Sequence, residues 1–331
     1  MDYNNGELFS KIYKQELLRI ESRLKNLLKS REPKSLYDPC SYVLEAGGKR
    51  LRPFLVMLSA KAVNSNPKDV TNAALAVELL HNFTLVHDDI MDNSDKRRGR
   101  LTLHKKYDMS TAILAGDNLI ALAYECLLRD CKDDAKKVIS TFNHGIIEVC
   151  EGQSLDKEFE IRSNVTLPEY LGMIYKKTAA LAEMCCSIGA QLGGGSKEQV
   201  KALSNFGKNL GMAFQIQDDL LDITAEENEF GKPVGGDLVE GKKTFLFLTA
   251  MNIAKGKEKQ MLMNVIKNKG IKKEDVYKYK ELYEQLGILA NAKKEIIRYT
   301  KLAVNNLKKL QNNEGMQMLN QLAVSLTGRN K

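Results

Sequence analysis

The chain has 331 residues, 43% of them hydrophobic, which is enough for one large domain or two modest ones and excludes disorder as the default. No uninterrupted apolar run approaches the ~18–20 residues of a membrane span, and the N-terminus lacks the layout of a signal peptide. We therefore expect a cytoplasmic protein without an integral membrane segment. Six cysteines without a CxxC pair indicate reduced core thiols.

The net charge of +8 is unevenly distributed along the chain. Residues 251–331 contain 17 Lys and Arg against 7 Asp and Glu. Because these basic residues lie among ordinary helical apolar positions, they indicate solvated helix faces, and nucleic acid is not expected as a partner.

Helices are predicted along the whole chain, because apolar residues recur at spacings of three and four, as at Leu17, Ile20 and Leu24. The stretches 68–167 and 234–331 contain no proline. Breaks are predicted, in chain order, at Glu32–Pro39, Gly47–Pro53, Asn64–Pro67, Asp95–Thr102, Ile161–Pro168, Gly193–Ser196, Glu226–Gly241 and Lys267–Lys272. Roughly ten helices result. We expect one all-α domain over residues 1–331, a large helical bundle around a central cavity.

The first candidate site is the basic loop Gly47–Pro53, which contains Lys49, Arg50 and Arg52 and leads into a helix. A second basic pair, Arg97 and Arg98, occurs farther along the chain. Arginine binds phosphate bidentately and lysine adds a point charge. Either segment alone could equally be a solvated turn.

Two acidic motifs of the same spacing come directly after apolar helical runs. They are Asp88-Asp89-Ile90-Met91-Asp92 and Asp218-Asp219-Leu220-Leu221-Asp222. On a helix, the first and last carboxylates of each motif lie ~6 Å apart along the axis on one face. One copy could be a solvated acidic turn, but two copies point to bound cations that offset the repulsion. Oxygen ligands of this kind suit Mg²⁺, with Mn²⁺ as a possible substitute.

Several polar residues interrupt otherwise apolar helices, and each alone is more often a satisfied buried group or a surface lysine. They are His81, Gln153, Lys177, Thr178 and Gln215. Lys232 and Lys242 belong to a glycine-rich segment, which we interpret as a lid over the second acidic motif.

The ordered motifs resemble those of the trans-isoprenyl diphosphate synthases, the polyprenyl synthetase family, over nearly the whole chain. The matching residues are Gly47–Pro53, His81, Asp88–Asp92, Arg97-Arg98-Gly99, Gly116-Asp117, Glu151-Gly152-Gln153 with Asp156, Lys177-Thr178, Gln215 with Asp218–Asp222, and Gly231-Lys232. The family often has proline where Leu101 stands, and the C-terminal end matches no distinctive motif.

The resemblance implies an all-α fold, usually a homodimer, and a role for each matching residue. Magnesium would be held by Asp88, Asp89, Asp92 and Asp218, with Asp219 and Asp222 supporting the metal site. The allylic diphosphate would be contacted by Arg97, Lys177 and Lys232, with Thr178 and Gln215 as further substrate-binding candidates. The diphosphate of isopentenyl diphosphate would be bound by Lys49, Arg52, His81 and Arg98. Arg50 occupies a non-matching position and receives no role.

The implied reaction is the head-to-tail condensation of isopentenyl diphosphate with dimethylallyl, geranyl or farnesyl diphosphate. A class I terpene cyclase is disfavoured by the second Asp-rich motif. A non-catalytic regulatory subunit is disfavoured because all six aspartates are present, and a basic helical binding protein explains neither acidic motif.

Product length is predicted from Phe83, which precedes Asp88 by five residues, or ~7.5 Å along a helix. Its ring would form the floor of the hydrocarbon pocket, unless it is plain core packing. The family resemblance implies an aromatic residue here in short-chain enzymes. Because Thr84 is smaller than the second aromatic of many farnesyl synthases, geranylgeranyl diphosphate is the favoured product. Farnesyl diphosphate is the alternative, and a long-chain polyprenyl diphosphate is a more distant one.

Overall fold

The computed structural model describes residues 3–131, 135–225 and 234–327. The chain divides into two compact units. Unit 1 comprises residues 1–143, 184–203 and 309–321, and unit 2 comprises residues 144–183, 204–308 and 322–331.

Unit 1 is almost entirely helical. Its elements are α1 Tyr3–Leu28, α2 Lys34–Leu44, α3 Leu51–Ala62, a 3-10 turn at Pro67–Val70, α4 Thr71–Met91, strands β1 Lys96–Arg97 and β2 Arg100–Leu101, α5 Leu103–Lys106 and α6 Met109–Asp130. The two strands pair antiparallel, with Arg97 opposite Arg100. The helices α7 Ala135–Ile161, α9 Ala180–Leu192, α10 Lys197–Thr224 and α16 Glu314–Thr327 contribute residues to both units.

The core of unit 1 is the packing of α4 against α6. Small fully buried residues such as Ala73 and Ala76 on α4 and Ala115 on α6 allow the two backbones to approach closely. Asp108 caps α6, since its carboxylate accepts a hydrogen bond from the Thr111 amide at 2.8 Å. This packing fixes the rotation of α4 about its axis, and therefore decides which of its polar residues face inward.

Unit 2 has its own apolar core. Its further elements are α8 Leu167–Ile174, a π-helical turn at Tyr175–Ala179, α11 Gly236–Val239, α12 Phe245–Ile253, α13 Gly256–Asn268, a 3-10 turn at Lys273–Asp275, α14 Val276–Gln285 and α15 Ile288–Leu307. The strongly apolar α12 is buried along most of its length and packs against α8 and α15. Thr166 and Glu169 form a capping box at the start of α8.

The all-α prediction is confirmed, and three details differ. The break at Glu32–Pro39 extends too far, because Pro39 lies inside α2. The segment Asp95–Thr102 contains a short hairpin as well as turns. Further helix ends at Tyr107, Ala254 and Gly287 raise the number of helices in the described residues above ten. These ends carry a glycine or a few charged residues but no proline, a signal too common along this chain to predict a break by itself.

Within the described ranges, α6 is the one helix that by length and composition alone could cross a membrane. Its buried residues, including Leu119 and Leu122, pack in unit 1, as expected for a core helix. Such a helix is weak evidence for a membrane span.

Candidate active site

The basic loop between α2 and α3 has a backbone that depends on its glycines. Gly47 and Gly48 have φ values of 72° and 144°, which glycine adopts without strain. An added side-chain carbon at Gly48 would stand 3.0 Å from the guanidinium of Arg98. Arg98 also donates a hydrogen bond to the Gly47 carbonyl. The structure thus brings together two basic segments that are about fifty residues apart in the sequence.

His81 lies on α4 within this basic cluster. Burial lowers the pKa of the imidazole well below its ordinary value, and the positive charges of Arg52, Arg98 and Arg97 lower it further. Its Nδ1 atom is buried without a hydrogen-bond partner in the described part of the chain. A neutral imidazole beside arginines is suited to an anionic ligand, because the anion would offset their mutual repulsion.

The first acidic motif occupies the C-terminal turn of α4. Asp88 is half-buried and Asp92, the C-cap residue, is exposed. Asp89 instead turns inward, is only 5% exposed, and accepts a hydrogen bond from Arg97 Nε at 2.7 Å. Burial raises the pKa of Asp89, and the Arg97 charge partly offsets that rise. Asp89 is therefore placed to orient Arg97, and its role as a metal ligand stays a prediction.

Phe83 lies one turn before the acidic motif and contacts His87. The two ring centroids are 4.7 Å apart. His87 in turn lies against Gly116 of α6, where any side chain would collide with the imidazole ring. The predicted floor residue is therefore part of a packed ring pair supported by a neighbouring helix.

Unit 2 contains a cavity of about 160 Å³ that brings the second set of candidates together. Its polar lining consists of Asp156, Glu160, Tyr170, Lys177, Thr178, Gln215, Asp219, Asp237, Lys242, Lys243 and Thr244. Phe159, Met173 and Ile174 form the apolar part. A small cavity with convergent basic and acidic groups can hold an anion together with cations.

The π-helical turn Tyr175–Ala179 carries Lys177 and Thr178 in the cavity lining. Lys177 forms a 2.5 Å ion pair with Asp156 of α7. The turn packs closely against α7 and α10, because added side-chain carbons at Gly152 and Gly211 would collide with its backbone. Two glycines therefore make room for the turn that presents this lysine.

Asp219 is the inward member of the second acidic motif. Tyr170 donates a 2.5 Å hydrogen bond to Asp219 Oδ2, and the backbone amide of Phe245 donates to the same oxygen at 3.0 Å. Gln215 Nε2 donates to Asp219 Oδ1 at 3.2 Å, while its carbonyl accepts from Thr178 at 2.9 Å. Burial, and then the charge of Asp237, raises the pKa of Asp219 to about 7. Asp219 thus fixes the amide orientation of Gln215.

The remaining candidates of unit 2 lie around Asp222 and Lys242. Asp222 Oδ2 accepts a hydrogen bond from the Asp237 amide at 3.2 Å, which ties the end of α10 to α11. Burial lowers the pKa of Lys242, but the charges of Asp237 and Glu240 outweigh it and raise that pKa above its usual value. Lys232 lies outside the described residues.

The sequence motifs predict no role for Tyr170, Asp237 or Lys243, and they place Lys242 only in the predicted lid. Lys243 donates to the Phe159 carbonyl at 2.7 Å, so it anchors the segment before α12. The sequence signal that could have identified Lys242 and Lys243 is the basic pair followed by Thr244, directly before an apolar run. No sequence signal points to Tyr170, because its hydrogen-bond partner Asp219 is 49 residues away in the sequence.

The donor chemistry of the acidic motifs fits a hard cation. Among the described residues, no three His, Cys, Asp or Glu side chains converge into a complete metal cage. Mg²⁺ does not need one, since it keeps several waters and completes its coordination with substrate phosphate. Asp88 and Asp92 in unit 1, and Asp218 in unit 2, supply carboxylates that fit this kind of binding.

The solved structures similar to this chain are prenyl synthases with the all-helical isoprenoid synthase fold. The crystal structure of geranylgeranyl pyrophosphate synthetase from Pyrococcus horikoshii Ot3 aligns with a TM-score of 0.91 and 37% identity, covering 99% of this chain and 100% of that chain. The fold defines an enzyme of the isoprenoid synthase class. A family model described as "Polyprenyl synthetase" matches residues 33–286, so the chain belongs to the polyprenyl synthetase family.

The named relatives indicate which type of polyprenyl synthetase the chain resembles. A geranylgeranyl diphosphate synthase from Methanosarcina mazei is 46% identical over 70% of this chain and 72% of its own length. A second, from Saccharolobus solfataricus, is 40% identical over 90% of this chain and 91% of its own. The protein is a prenyltransferase of the short-chain prenyl diphosphate synthase type.

Proposed function

We propose that the protein makes geranylgeranyl diphosphate by condensing isopentenyl diphosphate with dimethylallyl, geranyl and farnesyl diphosphates. The observation that carries this proposal is the pair of acidic helix turns, in each of which the middle carboxylate is buried and hydrogen-bonded, Asp89 to Arg97 and Asp219 to Tyr170. Relatives named geranylgeranyl diphosphate synthase support the product.

The allylic diphosphate is assigned to Arg97, Lys177 and Lys242, with Lys232 as a further candidate from the sequence. Arg97 uses Nε for Asp89, which orients its two Nη groups for a bidentate grip on phosphate. Lys177 and Lys242 line the unit 2 cavity beside Asp156 and Asp237. The ion pairs of Lys177 with Asp156 and of Lys242 with Glu240 hold the two ammonium groups in place until phosphate oxygens take up their hydrogen bonds.

The diphosphate of isopentenyl diphosphate is assigned to Lys49, Arg52, His81 and Arg98. Arg52 and Arg98 contribute positive charge around the neutral imidazole of His81, whose buried Nδ1 is available to a ligand. This arrangement provides both charge and hydrogen bonding for a second diphosphate without a metal ligand.

The chemistry is determined by the placement of charge. Bound Mg²⁺, held by Asp88, Asp92 and Asp218, would supply positive charge that stabilises the departing diphosphate. Arg97 and the cavity lysines add hydrogen bonds that strengthen as the carbon–oxygen bond of the allylic substrate ionises. The isopentenyl double bond then attacks the allylic carbon, and one proton leaves the adduct. The departing diphosphate is the proposed acceptor of that proton.

Product length is assigned to the ring pair of Phe83 and His87. The half-buried Phe83 ring is held against His87, which is itself confined by Gly116. A confined ring is a firmer floor for a hydrocarbon chain than a ring free to change rotamer. Farnesyl diphosphate remains the alternative product.

We expect product formation by the purified protein to depend strictly on Mg²⁺ or Mn²⁺. The measurement is radiolabelled product from isopentenyl diphosphate and each allylic primer, with and without EDTA, and then chromatography of chain length. Restoration by added Mg²⁺ after EDTA is the control. Activity that persists in EDTA would refute the metal assignment, and no activity with any primer would favour a regulatory subunit.

We also propose that the protein is a homodimer in the cytoplasm, with α6 at the interface. Ile113, Leu114 and Leu128 on this helix are 43%, 60% and 48% exposed, more apolar surface than a solvated helix requires. We expect sedimentation equilibrium to give twice the chain mass of 37.2 kDa. Leu114→Glu should shift that mass towards the monomer, whereas Lys136→Glu on α7 should not.

A further inference from the structure

Arg50 stands at the point where the basic loop enters α3. It is the N-cap residue of that helix and has φ 44°, in the left-handed region. A residue with a side chain keeps this conformation only where the surroundings hold it. Contacts with other parts of the protein must therefore hold the loop backbone in this conformation at Arg50.

The Arg50 side chain supplies that restraint. It is 5% exposed, and its Nη1 donates to Glu78 Oε1 at 2.6 Å. Its Nη2 donates to the Leu44 carbonyl at 2.6 Å. One guanidinium thus links the end of α2, the start of α3 and the middle of α4.

The partner of Arg50 is itself fixed. Glu78 is 2% exposed, and Asn82 on the next turn of α4 donates to its Oε1 at 3.2 Å. Glu78 precedes His81 by three residues, so the two residues lie one helical turn apart. The loop is also held from its other side, where Arg98 donates to the Gly47 carbonyl.

We propose that Arg50 is a positioning residue for the isopentenyl diphosphate site. By bridging Glu78 and the Leu44 carbonyl, it sets the loop so that the positive charge of Arg52, two residues on, lies near His81. The inference rests on the proposed function, because Arg52 and His81 are the groups assigned to that diphosphate. Arg50 points into the protein, so it acts through its neighbours and does not touch substrate.

The test is Arg50→Lys, which keeps a cation against Glu78 but cannot reach two acceptors in a fixed geometry. The KM for isopentenyl diphosphate should rise by ~10-fold or more, while the KM for farnesyl diphosphate stays within ~2-fold and kcat within ~3-fold. Glu78→Gln, which keeps the shape and removes the charge, should change the same constant in the same direction.

The matched control is Arg31→Lys, at the 2.7 Å ion pair with Glu125 of α6. This pair does not contact the loop, so the KM for isopentenyl diphosphate should not change. Circular dichroism melting of each variant separates lost folding from lost positioning. If both Arg50→Lys and Glu78→Gln fail to fold, Asn82→Ala is measured instead, because it loosens Glu78 without unbalancing charge, and we expect a rise of ~3-fold.

An unchanged KM for isopentenyl diphosphate in folded variants would overturn the proposal, as would equal increases in the KM of both substrates. Failure of the proposed function would look different. The wild-type protein would then form no condensation product with any primer, whatever the behaviour of the variants.

Discussion

Asp88→Ala and Asp218→Ala should each lower kcat by ~10²-fold or more without unfolding the chain. Both side chains are half-buried in an acidic helix turn, where they are assigned to hold the cations. Removing either carboxylate removes charge stabilisation that matters most as the allylic diphosphate departs. Rates measured across Mg²⁺ concentrations should show a raised metal requirement as well.

The matched controls are carboxylates on the surface of the same units, Asp69→Ala in unit 1 and Asp275→Ala in unit 2. Asp69 is exposed beside α4, and Asp275 pairs with Lys278 at the surface. Both variants should keep wild-type turnover. Full activity of Asp88→Ala or Asp218→Ala would make the metal assignment wrong.

Phe83→Ala should lengthen the product by at least one isoprene unit while metal dependence is retained. Removing the ring opens the pocket beside His87 and takes away the packing contact that holds the imidazole. Chromatography of dephosphorylated products would reveal the shift. Phe83→Tyr keeps the ring and should give the wild-type product length.

An unchanged product from a folded, active Phe83→Ala variant would place the floor elsewhere. Phe83 would then be plain core packing, and the choice between geranylgeranyl and farnesyl diphosphate would lose its structural basis.

Sequence periodicity was sufficient to predict the helical class, because apolar spacing determines which elements can bury a face. It could not predict which aspartate of each motif turns inward. That depends on how far α4 and α10 are rotated against their neighbours, and on donors distant in sequence such as Tyr170. Asp89 and Asp219 were expected at the metal, yet their hydrogen bonds place them as orienting residues. Whether either also touches a cation stays a prediction.

Arg50 illustrates a second limit of sequence reasoning. A basic residue in a glycine-containing loop indicates an exposed phosphate ligand as readily as a buried anchor. The residue that pairs with the basic side chain decides between these two roles. For Arg50 that residue is Glu78, which lies 28 residues away on another helix. Spacing within a motif therefore gives candidate ligand residues, but it does not show which residues support them from elsewhere in the chain.

The π-helical turn at Tyr175–Ala179 also constrains how this segment can evolve. Such a turn amounts to one residue more than a regular helix would contain. Deleting one residue would therefore relax the turn to an α-helix and leave the rotation of α8 relative to α9 almost unchanged, because the deletion removes the extra residue. The wide turn that carries Lys177 and Thr178 in the cavity lining would be lost, and its backbone would no longer fill the space provided by Gly152 and Gly211. A change in length at this segment would thus alter the cavity while the helices on both sides keep their register.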